Sequence, residues 1–139
     1  MATGNKFNSF VEAAMEKKHN LGADTLKVML TNTVPLATNT VKADLTEISA
    51  GNGYTAGGTA ASITSSAQTS GAYKLVLADV TFTASGGTMA TWRYAVLYND
   101  TATNDELVAW WDYGSSISLA DTQSATIDFS ATNGVITVT

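Results

Sequence analysis

The stretch Ala72–Tyr113, AYKLVLADVTFTASGGTMATWRYAVLYNDTATNDELVAWWDY, decides the fold class. Tyr73, Leu75 and Leu77 fall on one face of a period-two pattern, and Val80 and Phe82 follow after a break at Asp79. Trp92, Tyr94, Val96 and Tyr98 share one face of the next run, and Arg93, Ala95 and Leu97 take the other. Leu107, Ala109 and Trp111 oppose Val108, Trp110 and Asp112. A period of two marks half-buried strands. β-branched and aromatic residues fill the runs, while Gly, Asn, Asp and Thr fill the gaps. The pattern reads strand, turn, strand, turn, strand, and carries almost nothing able to do chemistry.

Working outward, Asp24–Thr31 is a further strand with Leu26, Val28 and Leu30 inward and Thr25, Lys27, Met29 and Thr31 outward. Residues 32–40 form a loop around the only proline, Pro35, and Thr40 is placed to cap a short turn carrying Val41, Leu45 and Ile48. Residues 51–58 are a Gly-rich connection, expected to be flexible. Thr59–Gln68 is a weak edge strand that turns through Ser70 and Gly71. After Trp111 come short runs at 117–119, 122–129 and 135–138. About eight or nine strands with closely spaced turns specify a mainly β chain, a jelly-roll-like antiparallel β-sandwich.

Ahead of the strands, Phe7, Phe10, Val11, Ala14 and Met15 recur at i, i+3, i+4, i+7 and i+8, one face of an α-helix. Lys17, Lys18 and His19 follow in its last turn, where the helix dipole favours cations, and Asn20 and Gly22 supply the stop. A helix this short must dock on something: its own sandwich or a neighbouring subunit. The expected organisation is one domain over residues 1–139, with an arm at 1–5, a helix at 6–19 and the sandwich at 24–139.

Composition narrows the function classes. There are no cysteines among 139 residues, which excludes disulfides, thiolate metal sites and a Cys nucleophile. Net charge is −5 and the seven basic residues are scattered, so the basic stripe needed to neutralise phosphates is missing. No apolar run is long enough for a membrane span, and residues 1–10 lack the apolar stretch of a secretory signal. Only 14% of residues are charged, well below the roughly 25% of an average domain. A surface of hydroxyls and amides is cheaper to cover with another protein than one of ions.

Candidate sites are few. His19, the single histidine, is expected as a solvent-facing residue at the helix end, without partners for a triad or a metal centre. The Gly-rich loop lacks the Lys-Ser/Thr ending of a phosphate loop. Asn99–Glu106 is rich in oxygen ligands but lacks calcium-loop spacing, and reads as a solvated hairpin loop. Trp110 and Trp111 are adjacent in a strand and must face opposite ways. One enters the core. The other, with Tyr113 and Tyr98, lies under the helix, against a partner, or in a sugar-binding platform. The reading is of a non-enzyme with no catalytic, cofactor or metal site. Its candidate partner contacts are Phe7, Phe10, Pro35, Asn52, Tyr54, Trp110, Trp111 and Tyr113.

The segments HNLGADTLKVMLTNTVP (19–35), AGNGYTAGG (50–58), TSGAYKLVLADVTFTASGG (69–87), WRYAVLYNDT (92–101) and WWDYGSSISL (110–119) resemble a family of small virion structural proteins of tailed bacteriophages. The likeness runs from about Lys6 to the C-terminus and carries no catalytic signature. It implies a cement or decoration protein on the outside of the head. Such a protein is made in the bacterial host cytoplasm and tied to the major capsid protein and to neighbouring copies of itself, without nucleic acid or membrane. The alternative it leaves open is a tail- or fibre-associated module binding a receptor or glycan.

Overall fold

The two long strands of the deciding stretch pair as a hairpin at the centre of the larger sheet. The computed structural model describes residues 4–139. Its elements are β1 (Gly4–Lys6), α1 (Ser9–Met15), β2 (Leu26–Thr31), β3 (Thr59–Ala61), β4 (Ile63–Thr69), β5 (Ala72–Leu77), β6 (Val80–Thr83), β7 (Trp92–Asn99), β8 (Leu107–Ile117), β9 (Ser124–Ile127) and β10 (Ile136–Val138). A five-stranded sheet runs β1-β8-β7-β2-β3; the remaining strands form β10-β5-β4 and a β6-β9 pair. All pairings are antiparallel. The mainly β, sandwich-like architecture with a single helix is thus as expected. The strands group five, three and two, which does not by itself establish the jelly-roll topology. No helix among the described residues is long and apolar enough to cross a membrane.

The main core lies between the large sheet and the two smaller ones. Leu26, Val28, Leu30, Ala95, Leu97, Val108, Ala109 and Trp111 from the large sheet meet Leu75, Leu77, Val80, Phe82, Ile127 and Ile136. The run 59–68 divides at Ser62, because β3 belongs to the large sheet and β4 to the edge of the smaller one. The single edge strand expected over 59–68 is thus two strands in two sheets.

The large sheet is also covered on its second face. Phe7, Met29, Leu45, Val96, Tyr98 and Leu107 form a second core, with Trp110 packed against it. Met29 and Thr31 are therefore buried although they point away from the main core. Trp92 packs in the main core although Val96, four residues on, packs in the second. Beside it the β7–β8 register shifts between Trp92 and Tyr94, and the extra residues of the bulged strand β8 include Gly114 at φ 83°.

The second core also explains the N-terminus. Gly4 and Asn5 were expected in a loose arm; they pair with Trp111 and Trp110 in β1, and Met1–Thr3 lie outside the described residues. The Phe7 N–H continues the ladder to the Val108 carbonyl at 3.2 Å, which carries the Phe7 ring over the second face. The helix accordingly starts at Ser9 and not at Lys6. It ends early too: Lys17 adopts φ 67°, and the Lys18 N–H bonds the Ala13 carbonyl at 2.8 Å. This is a Schellman-type stop three residues before Asn20. Phe10, Ala13 and Ala14 face inward, whereas Val11 and Met15 of the expected stripe are exposed.

Candidate functional site

An open cleft of about 920 Å³ lies beside the helix end. Phe10, Ala14, Met15, Leu21, Tyr73 and Val138 supply apolar lining, and Lys17, Lys18, His19, Asp24, Ser66 and Glu106 supply polar groups. Met15, 82% exposed, stands at the rim of this cleft. The volume falls within the range of small-ligand sites, roughly 300–1,000 Å³.

His19 forms part of the cleft wall, and its surroundings correct the solvent-facing expectation. Its exposure is only 7%, and its ring stacks on Phe10 with centroids 5.3 Å apart. Its Nδ1 lies 3.0 Å from Asn99 Nδ2. Asn99, wholly buried at the end of β7, also donates to Asp24 Oδ2 at 2.7 Å. The Asn99 Oδ1 accepts the backbone N–H groups of Thr101 (3.0 Å) and Ala102 (3.2 Å). Glu106 is buried too, its Oε2 accepting the Asn104 N–H at 3.3 Å. Burial pushes the His19 pKa below its ordinary value, against the opposing pull of the Glu106 and Asp24 carboxylates. The 99–106 segment is therefore a hairpin loop, as expected, but its two ends are buried polar anchors. Among the described residues no group of three or more His, Asp or Glu side chains is arranged to hold a metal ion.

A second polar network pins the Gly-rich loop that was expected to flex. The Tyr54 hydroxyl donates to Glu47 Oε1 at 2.5 Å and accepts the Leu30 N–H at 3.1 Å. The same Glu47 oxygen accepts the Gly57 N–H at 2.6 Å, and Lys42 Nζ sits 3.5 Å from Glu47 Oε2. The Tyr98 hydroxyl donates to the Gly57 carbonyl at 2.6 Å. Burial raises both phenols above their usual range, helped at Tyr54 by the Glu47 hydrogen bond and at Tyr98 by nearby carboxylates. Both therefore stay protonated donors. Tyr54→Phe would strand the Leu30 N–H inside the sheet and leave Glu47 short of a donor. The expected cost is about 1–3 kcal/mol, read as a lower denaturation midpoint at unchanged m-value. An unchanged midpoint would show that the network contributes nothing.

The eight residues expected to touch partners separate sharply. Phe7, Phe10, Tyr54 and Trp111 are buried in the protein's own cores and present no surface. Trp111 packs on Phe129 at 5.1 Å, and Tyr54 tilts against Phe82 at 5.9 Å. Trp110 is half-buried over Phe7 at 4.5 Å, and Tyr113 is half-buried, edge-on to Trp92 at 5.4 Å. Burial pushes the Tyr113 phenol up to about 12. The two tryptophans do face opposite ways, yet with Tyr98 also buried they make no aromatic platform. Asn52 is exposed. Pro35 is buried, and its neighbours Val34 and Leu36 are the exposed pair, at 59% and 57%. Their alternation about a proline was the available signal for that apolar tip. For the His19–Asn99–Glu106 cluster no local signal exists, because His19 lies some 80 residues from the other two.

No family model, curated protein or solved structure matches the chain.

Proposed function

We propose that this protein is a non-enzymatic structural component of a tailed-phage virion, a cement or decoration protein that binds the outside of the head and stabilises the major capsid protein lattice. The resemblance of five segments spread over the chain supports the virion assignment. The observation that carries the binding role is the apolar tip Val34–Leu36. Two exposed aliphatic side chains flank a buried proline on a loop without charged residues. The loop is held in place: Asn32 Nδ2 bonds the Thr91 carbonyl at 2.6 Å, the Thr33 N–H bonds Thr31 Oγ1 at 2.9 Å, and the Leu36 N–H bonds Asn39 Oδ1 at 2.7 Å. A preformed tip loses little conformational entropy on docking. Each bound copy then adds stabilisation that only the assembled lattice receives, and repetition over the shell multiplies a modest single-site affinity.

The test mixes purified protein with expanded shells lacking it and measures copy number and shell melting. Binding at a fixed ratio with a raised melting temperature is expected. The double variant Val34→Asp, Leu36→Asp should keep its own melting temperature but bind shells at least about tenfold more weakly, since burying one Leu or Val side chain is worth roughly 1.5–3 kcal/mol. A second reading, a tail- or fibre-associated receptor-binding module, draws on the cleft at His19 in place of the aromatic platform. Failure to bind shells together with binding to tail components or a cell-surface glycan would favour it.

A further inference from the structure

The hydrogen-bond polarity around His19 has a consequence for the cleft. The Asn99 amide is oriented by its own loop, because Oδ1 accepts from Thr101 N and Ala102 N and so Nδ2 must face His19. A donor at Nδ2 requires His19 Nδ1 to be an acceptor, which fixes the neutral imidazole with its proton on Nε2. That Nε2 is buried and has no hydrogen-bond partner. A buried, unpartnered donor in a native structure calls for an explanation. The joint it occupies connects three elements: the Phe10 ring comes from α1, Lys18 and Asp24 from the loop 17–24, and Asn99 and Glu106 from the β7–β8 hairpin. Ser66, Tyr73 and Val138 of the smaller sheet face the same cleft.

We propose that His19 is a proton-sensitive latch that fastens the loop 17–24 to the β7–β8 hairpin and releases it on acidification, widening the cleft. Protonation places a hydrogen on Nδ1 directly opposite the Asn99 amide hydrogens, so a donor faces a donor. Asn99 cannot turn its oxygen toward the ring without abandoning the Thr101 and Ala102 N–H groups. The imidazolium, buried against Phe10, gains by moving out of the stack into water, and the Glu106 and Asp24 carboxylates oppose that release without outweighing the burial. Lys18 opposes the added charge and favours release. The sign follows from linkage. The latched state holds His19 neutral and the released state lets it protonate, so latching is complete above the free-histidine pKa of about 6.5 and weakens as pH falls below it.

Amide hydrogen exchange across the joint tests this. After correction for intrinsic exchange, protection at Thr25 and Asp100, whose N–H groups bond across the joint to Thr101 Oγ1 and to the Thr25 carbonyl, should fall between about pH 7.5 and 5.5, by up to roughly tenfold, the limit for one proton taken up with a pKa near 6.5 on release. Amides of the β2–β7 ladder should not follow. His19→Gln keeps an acceptor for Asn99 that does not titrate, and should hold protection flat over this window. His19→Phe keeps the stack but lacks the acceptor, and should give low protection that is equally flat. Nitrogen-15 spectra of the histidine ring in the wild-type protein, which need no variant to fold, should show the Nε2–H tautomer at neutral pH. Three results would overturn the latch: pH-independent protection in the wild type, the Nδ1–H tautomer, or a wild-type slope persisting in His19→Gln, which would assign the response to Asp24 and Glu106.

Discussion

Phe10→Ala is expected to lower the stability of the fold by about 3–5 kcal/mol, the usual cost of truncating a fully buried Phe. Phe10 is the one large side chain that α1 places in the main core, alongside Ala13 and Ala14 at the same buried surface. Seven residues cannot hold a helix by backbone hydrogen bonds alone, so docking through Phe10 is what keeps α1 formed. The same ring covers His19. Its loss should therefore raise the His19 pKa toward the ordinary value as water reaches the imidazole, while the denaturation midpoint falls. The pair of measurements is discriminating. A midpoint that does not move would show that the helix contributes nothing to the core. A lowered midpoint with an unmoved histidine titration would show that the Phe10–His19 stack does not control burial of the ring.

Gly58→Ala should be more damaging still than its single added carbon suggests. Gly58 has φ +81°, and a Cβ there would meet the Val28 carbonyl oxygen at 1.8 Å and the Met29 Cα at 2.9 Å. Both are backbone atoms of β2, the strand between β7 and β3, and neither can swing aside as a side chain would. Gly71 provides a matched comparison, with φ +84° and nothing within 4 Å of the added carbon. Gly71→Ala should cost only the left-handed conformation, about 1–2 kcal/mol. Gly58→Ala carries that strain plus a broken approach of the loop to the sheet. A loss of roughly 4 kcal/mol or more, or failure to fold, is expected. Equal melting temperatures for the two variants would show that the loop yields where the close approach implies it cannot. The expectation runs opposite to a flexible Gly-rich connection: here glycine admits the loop to a tight, hydrogen-bonded seat.

The alternating runs by themselves determined the β class, the strands around Leu75, Val96 and Val108, and the opposite facing of Trp110 and Trp111. A period of two is a local property, set by successive Cβ directions, and needs no knowledge of neighbours. The apolar spacing from Phe7 to Met15 likewise announced a helix at the N-terminus, with Phe10 buried within it. Only the tertiary structure decided what lies over each face. Met29 and Phe7 read as outward or as helix stripe until pairing of β1 with β8 lays Phe7 over the sheet, where it packs with Met29 and Leu45 in the second core. Trp92 lies in the main core while Val96 of the same strand lies in the second. Tyr54, which looked like a loop contact, is an internal strut because Glu47 and the Leu30 N–H converge on its hydroxyl. His19 gains Asn99 and Glu106 from about 80 positions along the chain. Long-range pairing creates these environments, since burial and hydrogen-bond satisfaction belong to the assembled core and not to any window of sequence.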